Sequence, residues 1–232
     1  MDGILLVDKP SSWTSHDVCN FIKRRFGVRK VGHTGTLDPQ ATGVLVLLLG
    51  RYTKLSARFT NFEKEYAGTM ELGIRTTTQD GDGEVVEQKD WQHVTAEQIR
   101  TVFEKLKGPQ KQVPPMVSAI RSHGVRLYTL ARKGHEVERP ARDIFIYDLQ
   151  CRNIDLPLID FTIVSSKGTY IRTVAYDIGE TLGTCAYLKS LCRVRNGSFH
   201  VDDCLSIDEL KKIKIKKDLR HYLRKDIALE VR

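Results

Sequence analysis

The stretch Gly32-His33-Thr34-Gly35-Thr36-Leu37-Asp38-Pro39-Gln40-Ala41-Thr42-Gly43 runs straight into Val44-Leu45-Val46-Leu47-Leu48-Leu49. The apolar run is closed by Gly43 and Gly50 and is far too short for a membrane span. An unbroken run of this length reads as a buried strand. The glycine-punctuated segment before it reads as a loop. Two glycines flanking His33-Thr34 could let backbone N–H groups approach a phosphate, but neither the P-loop nor the dinucleotide fingerprint is present. Asp38 precedes Pro39, which bars it from helical backbone and holds it extended or in a turn. That pair fits an ordinary turn or a carboxylate displayed for catalysis. His33 alone fits hydrogen-bonded scaffold or a working imidazole.

Outward from this loop, residues 3–7 read as a short buried strand. Thr14 and Asp17 open a helix by a capping box, with Val18, Phe21, Ile22 and Phe26 on one face and Gly27 as its stop. Tyr66, Met70, Leu72 and Ile74 alternate with Thr69, Glu71 and Gly73 as in a half-buried strand. Gln79 to Gly83 is an acidic turn, and Val85 stands where an EF-hand requires glycine. Thr95 and Gln98 cap a helix with Ile99, Val102, Phe103 and Leu106 inward, ended by Gly108-Pro109. Residues 110–143, polar, basic and broken by prolines and glycines, read as an excursion from the core. Strands near 144–149 and 159–165 follow, then a helix from Tyr170 to Leu182, a strand near 187–199 and a charged C-terminal segment. Strict βαβ alternation is absent, so the expected class is α+β with a mostly antiparallel sheet.

With 232 residues, 41% of them apolar, the chain can bury one large core or two small ones. A charged fraction of 28% beside 8% aromatics argues against disorder. The start of the chain lacks the pattern of a secretory leader. Cys19, Cys151, Cys185, Cys192 and Cys204 form no CxxC and no zinc-like spacing, so reduced thiols in a cytoplasm are expected. The net charge of +8 is uneven. Residues 211–232 carry nine Lys/Arg against three acids, a net +6, and Lys23, Arg24, Arg25, Arg29 and Lys30 form a second cluster. Such clusters serve either as solvated surface or as attractors for a polyanion such as nucleic acid.

Arg172 carries a different kind of information. With Thr169 as N-cap it lies in the first helical turn, at the positive end of the dipole, where an exposed cation costs roughly 0.3–1 kcal/mol. Either a carboxylate or phosphate compensates, or the head swings clear into solvent. Tyr170 beside it is core or a stacking platform, and Tyr66 opens a strand as an ordinary sheet tyrosine. GxSxG, HExxH and the HxE…PCxxC deaminase signature are all missing. An enzyme with this inventory is expected to use a carboxylate, with no metal and no cofactor.

The segments Leu6-Val7-Asp8-Lys9-Pro10 with Thr14-Ser15, then Gly32 to Gly43, closely resemble the TruB family of bacterial tRNA pseudouridine-55 synthases. Lys64-Glu65-Tyr66, Thr78 to Gly83, Val117-Ser118-Ala119, Leu127-Tyr128, Ser166-Lys167-Gly168-Thr169-Tyr170-Ile171-Arg172-Thr173 and Leu191-Cys192-Arg193 continue the match in family order. The resemblance implies a pseudouridine synthase fold, a curved mixed sheet with a central cleft and flanking helices and loops. It places Asp38 on the catalytic aspartate and Arg172 on the arginine that pairs with it. Tyr66 falls on the tyrosine against the target base, and Tyr170 on another substrate contact. His33 falls on the histidine associated with flipping the uridine, and Leu191 on the residue whose backbone reads the uracil edge. Lys9-Pro10 reads as structural.

The implied partner is tRNA, engaged through its T-arm by a cytoplasmic monomer, with residues 110–143 closing over the RNA. The expected organisation is a catalytic domain over residues 1–210 and a basic tail over 211–232. Many relatives add a small C-terminal PUA domain, and the residues after Phe199 are too few for one. The tail is therefore expected to replace part of its contacts. Two alternatives from other classes are an RNA-binding protein that helps tRNA fold, and a subunit of a guide-RNA complex.

Overall fold

The computed structural model describes residues 1–118, 121–122, 125–127, 137–215 and 217–225. The strands are β1 (Gly3–Lys9), β2 (Val31–His33), β3 (Thr42–Leu49), β4 (Lys64–Leu72), β5 (Ile74–Thr76), β6 (Val85–Gln88) and β7 (Gly108–Gln112). They continue with β8 (Arg121–Ser122), β9 (Val125–Arg126), β10 (Arg142–Asp155), β11 (Leu158–Ser165), β12 (Ala186–Asn196), β13 (Phe199–His200) and β14 (Leu205–Ser206). The α-helices are α1 (Ser15–Phe26), α2 (Ser56–Thr60), α3 (Ala96–Lys105), α4 (Ile171–Thr181) and α5 (Ile207–Lys212). The class is α+β, as the sequence suggests. Met1–Tyr66 and Cys192–Arg232 form one compact unit and Ala67–Leu191 a second, and the chain passes between them inside β4 and β12.

In the first unit the strand order is β14-β1-β3-β12, with β2 also on β3 and β13 on β12. β3 explains the loop before it. Along its length it pairs antiparallel with β1, from Thr42's neighbour Gly43 against Lys9 to Leu49 against Gly3. Its other side is divided: Leu47 to Leu49 pair with β2, whereas Thr42 and Gly43 pair parallel with Cys192 and Arg193. Residues 34–41 therefore leave the β2–β3 hairpin where β12 takes over the edge. Both faces of β1 and β3 are covered, which is why both read as continuous apolar runs. Leu5, Val7, Leu45, Leu47 and Leu49 pack with α1 and α5. Ile4, Leu6, Val44, Val46 and Leu48 pack with Phe59 and Phe199 on the other face.

The capping box of α1 forms as read, Thr14 to Asp17, and Gly27 ends the helix at φ 57°. Phe21 is the one expected core residue of this helix that stays only partly buried. The described part of the C-terminal segment packs onto this unit. Ile207, Leu210 and Leu219 are buried against α1, and Arg224 exchanges both backbone hydrogen bonds with Ile4.

In the second unit β12, β4, β11, β10 and β7 lie side by side in that order, with α3 packed on β10 and α4. The strand expected through Ile74 breaks at Gly73, whose φ is +87° and where a Cβ would lie 2.6 Å from Trp91 Cδ1. Ile74 starts β5 instead. The excursion expected from residue 110 begins later, because Gln110 to Gln112 continue β7 and pair with Arg142 to Ile144. Much of the remainder, with Ala119 and Tyr128, lies outside the described residues. The α4 N-cap is Tyr170, not Thr169, whose hydroxyl donates instead to Ser166 O at 3.0 Å.

Candidate active site

The loop carrying Asp38 is held from several directions, all within the first unit. Asp38 O accepts from Ala41 N at 3.1 Å, a turn with Asp at its first position and Pro39 at its second. Ser15, the first residue of α1, both donates to Leu37 O at 3.2 Å and accepts from Leu37 N at 2.8 Å. Arg193 is 1% exposed and forks between the two ends of the loop. Its Nε donates to Val44 O at 2.7 Å and its Nη2 to Gly35 O at 3.2 Å. Gly43 lies so close to this arginine that a Cβ would stand 2.3 Å from Arg193 O, at a φ of +96°. Only glycine fits there.

Lys9 has no exposed surface, and its Nζ donates to Pro10 O at 2.8 Å, Trp13 O at 2.6 Å and Pro39 O at 2.9 Å. Ser12 N donates to the same Pro39 carbonyl at 2.9 Å. Burial pushes the Lys9 ammonium down to about 8, with the Asp38 carboxylate opposing that fall and Arg193 adding to it. Lys9 and Arg193 thus put two buried cations around the aspartate's loop. His33 ends β2. Burial first, then the electrostatics of Arg193 and His16, push its imidazole down to about 4, so the ring is neutral near pH 7. Its Nδ1 is buried without a hydrogen-bond partner. Tyr66, in β4, is 8% exposed.

Tyr170, Arg172 and Leu191 belong to the second unit. Arg172 is 3% exposed, and its charge at the positive end of α4 is answered inside this unit. Its Nη1 lies 3.2 Å from Asp80 Oδ2 and 3.4 Å from Thr78 O, and its Nη2 donates to Val117 O at 2.5 Å. Asp80 is an anion of the kind that a cation at this end of a helix requires. Its turn is itself fixed, with Gln79 at φ 66° accepting from Thr173 Oγ1 at 2.7 Å. Tyr170 is set by Gln112, which accepts from Tyr170 N at 2.8 Å and donates to Tyr170 O at 3.1 Å. The guanidinium of Arg142 lies 4.9 Å and that of Arg172 5.7 Å from the Tyr170 ring centroid. Leu191 lies half-buried within β12, where the chain leaves this unit.

The site residues named from the sequence are thus distributed as Asp38, His33 and Tyr66 in one unit and Tyr170, Arg172 and Leu191 in the other. Of the positioning groups, Lys9 was read as structural, whereas Arg193 and Ser15 stood in quoted motifs without an assigned task. Gln112 and Arg142 had no sequence signal at all. Among the described residues no cluster of three or more His, Cys, Asp or Glu is placed to hold a metal ion, and no helix is long and apolar enough to cross a membrane. All five cysteines are free thiols.

A clamped aspartate loop in an α+β fold defines a class, and comparison with known proteins gives the family. Residues 23–171 match the TruB family pseudouridylate synthase N-terminal domain, and residues 172–228 match the tRNA pseudouridylate synthase B C-terminal domain. The tRNA pseudouridine synthase B of Geobacter sulfurreducens is 45% identical over 92% of this chain and 70% of its own length. That of Opitutus terrae is 44% identical over 91% and 88%. The crystal structure of a Cbf5-Nop10-Gar1 complex contains a chain with a TM-score of 0.74 and 27% identity, matched over 96% of this chain. The present chain spans 59% of the length of that one. The chain belongs to the TruB family of pseudouridylate synthases.

Proposed function

We propose that the protein converts the T-loop uridine at position 55 of tRNA to pseudouridine, acting as a cytoplasmic monomer. The observation that carries this reading is the loop from Gly35 to Gly43, clamped by Arg193 at both ends and by Lys9 and Ser15 between them, with Asp38 at its turn. The reaction breaks the N1–C1′ bond, turns the base and joins C5 to C1′. The hydrogen on C5 leaves as a proton and N1 takes one up, so composition is unchanged.

Asp38 is the nucleophile, directed at C1′ as in a retaining glycosidase or at C6 of the ring. An ionised carboxylate suits either route, and Lys9 and Arg193 are the buried cations that hold its loop. Neutral His33 has a buried, unpaired Nδ1 for the step that takes the uridine out of its stack, an extrusion costing a few kcal/mol. Tyr66 lies against the base. Tyr170, stiffened by Gln112, contacts substrate, and the backbone of Leu191 reads the uracil edge. Arg172 is the cation partnered with the catalytic carboxylate in the reaction. Residues 110–143 close over the RNA arm.

The guide-RNA alternative gains little, since relatives at 44–45% identity carry the tRNA enzyme's name and the Cbf5 chain is 27% identical. Mapping pseudouridine by carbodiimide and primer extension on an unmodified tRNA tests the assignment. A single stop at the T-loop uridine is expected. Modification elsewhere, or none by a folded enzyme, would overturn it.

A further inference from the structure

We propose that the end of helix α1 and the C-terminal segment form one continuous cationic surface that binds the phosphate backbone of RNA. The sequence holds two separate basic clusters, at residues 23–30 and 211–232, and the fold brings Arg25 of the first against Lys211 to Ile213 of the second. Arg25 Nη2 donates to Lys211 O and, at 3.2 Å, to Ile213 O, so the last turn of α1 closes on the last turn of α5. Beneath them Leu210 and Leu219 pack with Val18, Ile22 and Phe26. The cations therefore stand on a packed base and not on a solvated strand of chain. Arg24, Arg29, Lys30, Lys212 and Lys214 are exposed, and residues 23–30 contain five Lys/Arg and no acid.

Beside this ridge is a surface groove of about 700 Å³ lined by Ser12, Trp13, Asn20, Phe21, Arg24 and Arg25, with one acid, Asp17, whose Oδ2 accepts from Thr14 N and Oγ1 in the capping box. Trp13 and Phe21 meet edge to face at 5.9 Å, which leaves an aromatic surface flanked by guanidinium groups. That combination favours a single-stranded or looped RNA over a protein partner: cations take phosphates and an aromatic face takes a base. The groove also adjoins the aspartate loop. Ser12 N and Lys9 Nζ both bond Pro39 O, Lys9 also holds Trp13 O, and Ser11 Oγ donates to Gln40 Oε1 at 2.8 Å. RNA seated here lies on the segment that braces Asp38. The inference rests on the reading of the protein as an RNA-modifying enzyme and adds where that RNA is held.

The test uses the full chain and unmodified tRNA. Binding is measured across a salt series for wild type and for the triple variant Arg24→Gln/Lys212→Gln/Lys214→Gln, with thermal unfolding to establish that both are folded. Each lost phosphate contact flattens the slope of log K against log salt by roughly 0.7–0.9, so a loss of about 2–3 in slope and at least about tenfold in affinity at low salt is expected. The variant Arg100→Gln/Lys105→Gln, on α3 of the other unit, should keep the wild-type slope. In a Trp91→Phe background, Trp13 is the remaining tryptophan, and its emission should be quenched by tRNA and not in the triple variant. Three results would each overturn the proposal: an unchanged slope in the folded triple variant, an equal loss in the α3 variant, or unquenched Trp13 with tRNA bound. So would binding to phosphatidylserine vesicles in preference to tRNA. Tritium release by wild type, run alongside, separates a failed surface from a failed functional reading.

Discussion

Arg193 shows how much of this site depends on one buried side chain devoted to backbone carbonyls. Replacing it by Met leaves the Gly35 and Val44 carbonyls without their donors, at about 1–3 kcal/mol for each buried orphan. A fall in thermal unfolding temperature and an urea midpoint shift of that size are expected. Arg193→Lys keeps the charge but cannot fork between two carbonyls. We expect its kcat to fall at least tenfold with KM for tRNA nearly unchanged, because the loss is in the placement of Asp38. A rise confined to KM would assign Arg193 to binding instead. Asp38, Arg172 and Tyr66 could be singled out from the sequence because specific motifs surround them. The partner of Arg172 within its unit was not legible: Asp80 lies 92 residues away in the chain. Gln112, which fixes Tyr170 from 58 residues away, sits in a strand with no local pattern to mark its task.

Elements stated by local rules emerged where those rules placed them. The capping boxes at Thr14-Asp17 and Thr95-Gln98 formed, and Thr14→Ala should cost about 1 kcal/mol, read from urea unfolding. Where non-local packing decides, the local rules fell short. Gly73 breaks β4 because Trp91 occupies the space of a side chain, and Thr169 yields the N-cap to Tyr170 because Gln112 satisfies both backbone groups there. Strand β2 places His33 in a site that depresses its pKa to about 4 from an ordinary 6.5. Between those values the unfolded chain binds the extra proton, so stability rises with pH across the window. It is present in full above about 6.5 and is lost as pH falls towards 4, by on the order of 1–2 kcal/mol once partial solvent access is discounted. His33→Gln should flatten the stability profile between pH 4 and 6.5. A profile as steep as wild type would place the titration elsewhere.

At the scale of the molecule, the class and the family were readable because the motifs are spread along both units. The division into those units was not, since the chain changes unit in the middle of two strands and no linker marks the boundary. Nor was the packing of the basic C-terminal segment. Charge arithmetic over 211–232 describes a tail, yet Leu219 within it is fully buried. Leu219→Ala should destabilise the fold by about 2–4 kcal/mol, measured by thermal or chemical unfolding. Deleting residues 211–232 would strip the same core, so substitutions that remove charge at exposed Lys and Arg are the cleaner probe of RNA binding. The central claim concerns Asp38, and one measurement addresses it directly: tritium released from unmodified tRNA carrying 5-³H-uridine, wild type against Asp38→Asn. C5 gives up its hydrogen only when the new C–C bond forms. We predict release by wild type and none above background by the variant, with both folded and both binding tRNA. Release by Asp38→Asn at the wild-type rate, or none from a folded wild type that binds tRNA, would contradict the account.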